Sequence, residues 1–307
     1  MTAGAVTSPA AGGGGDAPAR AGKGAPRKVG QGTGAAYLLL LPSVFVLVTL
    51  FLWPLVQGVL MSLGGTGQLS LAPYAGMLAD PRFWDAVRNT LLIVVVAVPL
   101  QLLLALSMGL ILEARPRFRG FFLYCWAVPL AVSDLAAGLV WLSIFTDRGY
   151  LNSTLSLLGL GQGYSWLSYQ NTTSMFFAVV VAELWRATSL VLVIVVAGMQ
   201  MIPRDYDEAA QVFGAGFWQR LWHVTLPLLK SSLQVALILR TILAFQTFAV
   251  VQALTGDNFP VLVGETYTYY ASLQNSSVAA AFAMLILAIS MVTSVLYLRL
   301  LRTSRVG

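Results

Sequence analysis

An all-α, polytopic membrane protein is the fold class this sequence predicts, on three observations. Apolar residues make up 58% of the 307 positions and charged residues only 10%, against just under half and about a quarter in soluble domains. The mean hydropathy of +0.78 spreads that excess along the chain instead of confining it to one anchor. Apolar stretches also recur, each long enough for the ~20 residues that cross a ~30 Å hydrocarbon core. Backbone polar groups cannot go unpaired in lipid, so these stretches are predicted to be helices. A secreted enzyme, a cytosolic enzyme with a tail and a disordered scaffold are excluded together.

Residues 1–35, rich in Gly, Ala and Pro and carrying Arg20, Lys23, Arg27 and Lys28, predict a disordered cytoplasmic tail, because they cannot bury enough apolar surface to offset ordering entropy. A cleaved signal peptide fits poorly. The apolar run behind the tail exceeds the ~7–15 residues of a signal core, and no small-residue cleavage site follows it. Residues 36–307 are predicted to form the membrane domain. Its six spans are Ala36–Leu63, Asn89–Leu112, Phe121–Phe145, Ser174–Gln200, Leu228–Ala253 and Ala279–Leu298. Pro42, Pro54, Pro99 and Pro129 fall inside spans and predict kinks or local unwinding.

Orientation follows from Lys and Arg, which collect in cytoplasmic loops. Beyond the tail, Arg115, Arg117 and Arg119 follow the second span. Arg204, Arg220 and Lys230 follow the fourth, and Arg299, Arg302 and Arg305 end the chain. The alternate loops hold only Arg82, Arg88 and Arg148. Both termini are therefore predicted to be cytoplasmic, and the net charge of +6 reflects topology, not nucleic-acid binding. A single cysteine, Cys125, and a single histidine, His223, exclude an internal disulfide, a Cys-based metal cluster and a multi-His metal site. Cys125 reads as a small buried apolar residue. No G-x-x-x-x-G-K-[ST], H-E-x-x-H or G-x-S-x-G is present, so the chain is not expected to be an enzyme, and any ATP hydrolysis belongs to a partner. Asn152-Ser-Thr, Asn171-Thr-Thr and Asn275-Ser-Ser read as chance matches to glycosylation acceptors.

The loop between the fourth and fifth spans, about 201–227, carries the most information. Pro203 interrupts the preceding helix. Asp205, with Glu208 three residues on, reads as a capping box opening a short helix, and Asp205, Asp207 and Glu208 place negative charge where a helix dipole favours it. Gly214 and Gly216 are expected to end that helix, and Pro227 to mark the start of the fifth span. Ala209 and Ala210 leave room for another surface to approach. A helix lying on the membrane, anchored by Trp218 and Trp222, is the alternative.

Glu208-Ala209-Ala210, then Gly214, then Val224-x-Leu226-Pro227 resembles the coupling motif of ABC importer permeases in spacing, loop position and topology. The resemblance extends over most of the chain after residue 36. Leu40-Leu41-Pro42 through Trp53-Pro54 and Ser62 is similar to the first helix of the carbohydrate-type permeases, and Phe83-Trp84 to Asn89-Thr90 to the start of their core. Pro129, Ser133 and Trp141 through Gly149 and Asn152 resemble their third helix and the following loop. Ala197-Gly198-Met199-Gln200-x-Ile202-Pro203 resembles their A-G-L-Q-x-I-P segment, and Thr255-Gly256-Asp257-Asn258-Phe259-Pro260 the T-G-G-G-P loop of the first permease subunit. The chain departs from the family at Phe213-Gly214-Ala215, where Asp-Gly-Ala is common, and at the middle glycines of the second loop. The resemblance implies a type I importer permease fold, half of a heterodimeric pore with a second permease. It also implies two cytoplasmic ATPases that bind ATP and Mg²⁺, and an extracytoplasmic solute-binding protein. Glu208 would pair with a basic residue of the ATPase, and the chain itself would hold no cofactor. The implied setting is a bacterial plasma membrane. The implied substrate is a disaccharide such as trehalose or maltose, with glycerol-3-phosphate as runner-up.

Asp134, Glu183, Arg186 and Arg240 fall within spans, where each charge costs about 2.5–3.5 kcal/mol. They are expected to face protein or water. With Trp185, Gln246 and Gln252 they suit a polar path for sugars, since amides and charges bond hydroxyls and aromatic faces pack against ring CH groups. Alternatively Glu183 and Arg186, spaced i,i+3, neutralise each other and hold helices together, while Arg240 pairs with Asp134. A secondary transporter fits the topology too, but it usually shows an internal repeat, and none is evident.

Overall fold

The computed structural model describes residues 33–65, 69–114, 116–160 and 164–300, and of residues 33–37 the backbone alone. The tail up to residue 32, together with Arg115, Arg302 and Arg305, lies outside the described residues. The described part is helical throughout, without strands. Of the described residues, those from 33 to 53 form one compact unit and those from 54 to 300 a second.

In the first unit, α1 (Thr33–Leu47) begins inside the last residues assigned to the tail and passes into a wide π turn, Val48–Leu52. There the amide of Trp53 donates to Val48, five residues back. A proline ring clashes with the carbonyl four residues before it, and Pro54 stands just past this widened turn. The same device recurs before Pro227, where a π turn spans Leu221–Thr225 and the Leu226 amide donates to Leu221. Pro99, by contrast, lies within an unbroken helix.

The second unit holds α2 (Trp53–Ser62) from Pro54 on and α3 (Ala72–Ala79), joined where the Tyr74 hydroxyl donates to Ser62 Oγ at 3.0 Å. The long α4 (Pro81–Glu113) follows, its amino end capped by Asp80 through the Arg82 amide. α4 contributes to all three buried apolar clusters. One holds Phe83 and Val98 with Phe282, a second Ile93 and Ala97 with Val179, and a third Ala105 and Leu112 with Val195. Its main neighbour is α8 (Thr172–Gln200), and Ala97, Ala105, Ala178 and Ala182 let the two approach closely.

Two predicted spans are broken. Residues Phe121–Phe145 do not form one straight helix. α5 (Arg119–Ala127) tightens into a 3-10 turn at Val128–Ala131, and the chain turns by 104° before α6 (Asp134–Phe145). Pro129 cannot supply an amide to continue α5, and Ser133, whose Oγ accepts the Ala136 amide, caps a new helix. α7 (Tyr150–Leu157) follows. The fifth span begins earlier and ends earlier than predicted. A continuous helix runs from Phe217 to Phe245, comprising α10 (Phe217–Arg220), the π turn and α11 (Leu226–Phe245). Residues after Phe245 leave that helix and start the short α12 (Ala249–Thr255). α12 seats against α6 at Gly138, where a Cβ would come within 2.5 Å of Ala253 Cβ. Then come α13 (Leu262–Tyr267) and the last span, α14 (Ser276–Leu300). Among the described residues, five helices are long and apolar enough to cross a membrane, six if the bent pair counts as one. Cys125 is exposed on α5, not buried.

Candidate functional site

The short helix of the 201–227 loop is α9, Asp205–Val212. Asp205 does not cap it. The helix starts one residue earlier than a capping box requires: Arg204 holds the cap position, and its carbonyl accepts the Glu208 amide at 2.9 Å. Three acids in the first turn remain as dipole partners. The far end is a Schellman motif, with Gly214 N–H donating to Gln211 at 2.9 Å and Ala215 N–H to Ala210 at 3.0 Å. Gly214 takes φ +80°, and a Cβ built there meets nothing within 4 Å. Its glycine therefore answers to backbone conformation and not to crowding within this chain. Gly216 begins the next helix instead of ending this one, its amide donating to Gln219 Oε1 at 2.9 Å.

Glu208 and Ala209 are exposed and Ala210 is half-buried. Val212 and Phe213 stand 86% and 90% exposed, and Phe217 and Trp218 are exposed beside them, an apolar edge on a helix of polar composition. Asp207 turns the other way. Its Oδ2 accepts from Gln211 Nε2 at 2.7 Å and from Arg220 Nη1 at 2.6 Å, binding α9 to α10. Behind α9, a cleft of about 710 Å³ is lined by Glu113, Arg119, Arg204, Asp207 and the ends of α4 and α8. Pro227 lies in the first turn of α11.

The charges within the spans sort differently from the predicted pairing. Arg240 bonds Glu183, Nη2 to Oε2 at 2.7 Å, and both are buried. Arg240 Nε donates to Gln101 Oε1, and Gln101 Nε2 donates to the Glu183 carbonyl at 3.0 Å. α4, α8 and α11 are thus tied at one fully buried node. Asp134 pairs with Arg186 at 2.7 Å, not with Arg240, and its side chain is 52% exposed. Arg186 also reaches Glu183, at 3.4 Å. The two arginines line a cavity of about 50 Å³ beside Pro129 and Leu130, at the break between α5 and α6. Trp185 is partly exposed and meets Trp141 edge-on, and Trp141 stacks on Phe145. Gln246 and Gln252 do not join this cluster. Gln246 is exposed at the end of α11, and Gln252 bonds Asp257 at 3.3 Å.

Gln101 is not among the residues the sequence singles out, although it is an amide in mid-span, the same signal that marks Gln246 and Gln252. A second network also went unread. Arg82 pairs with Glu265 at 3.0 Å and donates to the Asp257 carbonyl, while Tyr269 donates to Asp80 at 2.7 Å. Asn89 and Thr90 bond the backbone of Pro260 and Leu262, so the Thr255–Pro260 loop is fastened to α4. Burial pushes the Glu265 carboxyl above the ordinary carboxylate value against the pull of Arg82. The Tyr269 phenol rises to about 12 through burial and its bond to Asp80.

Spanning helices, one of them broken, with a capped E-A-A helix projecting between the fourth and fifth spans, define a permease subunit of an ATP-driven importer. The chain belongs to the binding-protein-dependent transport system inner membrane component family, whose profile matches residues 68–306. It is 34% identical over 286 residues to the sulfoquinovosyl glycerol transport system permease protein SmoG of Agrobacterium fabrum, covering 87% of this chain and 90% of that protein. It is 31% identical to the trehalose/maltose transport system permease protein MalF of Thermococcus litoralis, covering 88% and 94%. The fold is shared with a chain of the crystal structure of a bacterial ABC transporter that imports alginate, with a TM-score of 0.74 over 88% of this chain and 95% of that one at 18% identity. The protein is thus a membrane transport subunit that depends on a binding protein, and not an enzyme.

Proposed function

We propose that this chain is one half of a sugar importer's pore and takes its driving force from a cytoplasmic ATPase through α9. The observation that carries the reading is the short helix stiffened at its far end by the Schellman motif, with Glu208 and Ala209 exposed for docking. A rigid element held at both ends passes on a rigid-body movement. In this reading the 201–227 loop and both termini face the cytoplasm, and residues 36–307 form the permease domain. A second permease completes the pore, two ATPases supply ATP and Mg²⁺, and a binding protein delivers the sugar.

The accessible Asp134–Arg186 pair, with Trp185 and Trp141, supports a polar, aromatic-lined path at the α5–α6 break, while Glu183, Gln101 and Arg240 hold it in shape. Both arginines of this cluster are matched by carboxylates at 2.7 Å. That balance favours a neutral disaccharide such as trehalose or maltose over glycerol-3-phosphate, whose phosphate would need an uncompensated cation.

Affinity purification of the tagged chain from its native membranes is the test. Recovery of an ATPase, a second permease and a binding protein that prefers trehalose or maltose to sn-glycerol-3-phosphate is expected. Recovery of the chain alone or as a homo-oligomer, in a detergent that preserves a known importer, overturns the coupling role. In the recovered importer, Gly214→Asp should abolish uptake with membrane insertion intact.

A further inference from the structure

The helix Phe217–Phe245 carries an arginine near each end of its length, and each is held by a carboxylate from a different part of the fold. Arg240 is fixed to Glu183 and Gln101, and Arg220 is fixed to Asp207 on α9. The two arginines lie ~30 Å apart along the helix axis. Between α9 and α10 the chain has only the turn at residues 213–216, which includes two glycines. The Schellman bonds close the end of α9 and the Gly216–Gln219 bond opens α10, but neither fixes the angle between the two helices. The Asp207–Arg220 contact spans that angle directly. It joins the first turn of α9 to the first turn of the membrane helix, and Gln211 holds the carboxylate from the side.

We infer that Asp207 and Arg220 are positioning residues. Their ion pair is a strut that makes α9 and the helix 217–245 move as one body, so that displacement of α9 reaches the Glu183–Arg240–Gln101 node and is not absorbed in the glycine-containing turn. The inference rests on the reading of α9 as the docking helix and adds to it the residues that transmit the movement. Glu208 and Ala209 face outward to a partner, whereas Asp207 and Arg220 face each other.

The test is the distance distribution between nitroxide labels on α9 and α11, at Val212→Cys and Val235→Cys with Cys125→Ser. It is read by double electron–electron resonance in the assembled importer, nucleotide-free and trapped with ATP and vanadate. One narrow distribution, unchanged on trapping, is expected for the native pair. Asp207→Ala and Arg220→Ala should each broaden it at least twofold, and the exchange of Asp207→Arg with Arg220→Asp should restore most of the width. Single variants that keep the native width overturn the strut, as does a native distribution that shifts on trapping. Broadening that the exchange fails to rescue overturns it too, since the cause would then be general damage to the loop. If no ATPase accompanies the chain, the docking reading fails, and the widths measured on the chain in nanodiscs still decide the strut.

Discussion

Two ion pairs on one helix are almost equal in length and opposite in setting. Glu183–Arg240 measures 2.7 Å with side chains 0% and 1% exposed, and Asp207–Arg220 measures 2.6 Å with side chains 44% and 23% exposed. Length therefore says little about what a charge pair does; solvation decides it. Two charges withdrawn from water are tolerated only while each remains matched, because either one left alone is a buried, uncompensated ion. A solvated pair gains little free energy, so what it supplies is an orientation and not stability. The buried pair is a lock between α4, α8 and α11, and the exposed pair sets the angle between α9 and α10.

The most damaging way to break this contrast is to remove one partner of the lock. Glu183→Ala, which leaves Arg240 without a carboxylate, is expected to cost about 3–5 kcal/mol, and to show as loss of folded protein in detergent-solubilised thermal unfolding; Arg240→Ala should cost less, because Glu183 keeps Arg186 at 3.4 Å. Glu183→Gln combined with Arg240→Met should recover most of that loss, since no bare charge then remains. A Glu183→Ala protein as stable as the parent would mean that water reaches Arg240 and that the node is not a lock.

How much of this was legible in the sequence depends on which physical signal was available. Hydropathy located the spans because the membrane imposes their length, and the E-A-A loop stood out through its spacing. The break at Pro129–Ser133 was half visible. Pro129 was read as a kink, but Ser133-Asp134, a helix-starting pair inside an apolar run, carried the remainder. The end of the fifth span at Phe245 was not visible, because mean hydropathy runs on through Ala249–Ala253 and cannot register a backbone turn. Partner choice was also out of reach. Glu183 has Arg186 three residues away, yet α11 brings Arg240 nearer, and only the tertiary packing of α8 against α11 selects between them. Asp205 shows the limit of motif reading at a helix start: the S/T/D/N-x-x-E spacing is present, but Arg204 takes the cap position and Asp205 is already the first helical residue.

A third pair, Arg82–Glu265, lies between the two extremes, with side chains 47% and 3% exposed, and sharpens the comparison through pH. The Glu265 carboxyl sits above its ordinary value, chiefly through burial. An acid whose folded pKa exceeds its unfolded one binds its proton more tightly in the folded chain. Stability from this group is then greatest at low pH and falls as pH rises through the ordinary carboxylate value toward the raised one. Thermal unfolding of the native chain between about pH 4 and pH 7 should show this decline, and Glu265→Gln should flatten that part of the profile. A variant whose profile matches the parent's would assign the decline to other carboxylates, and would place this pair with the solvated one.

The smallest effect on stability is expected at Asp207–Arg220, where either alanine replacement should change the unfolding free energy by about 0–1 kcal/mol. Ionic strength separates this pair from the lock more cleanly than substitution does. Raising salt from ~0.1 M to ~1 M shortens the screening length from ~10 Å to ~3 Å, which weakens a pair in contact with water and leaves a dry one unchanged. The label distribution between α9 and α11 should therefore broaden with salt in the native chain. A second label pair placed across α8 and α11, near Glu183 and Arg240, should report the same width at both concentrations. Equal salt response at the two places would mean that the node is hydrated; salt indifference at both would mean that the turn at Gly214 and Gly216 holds α9 without help from the charges.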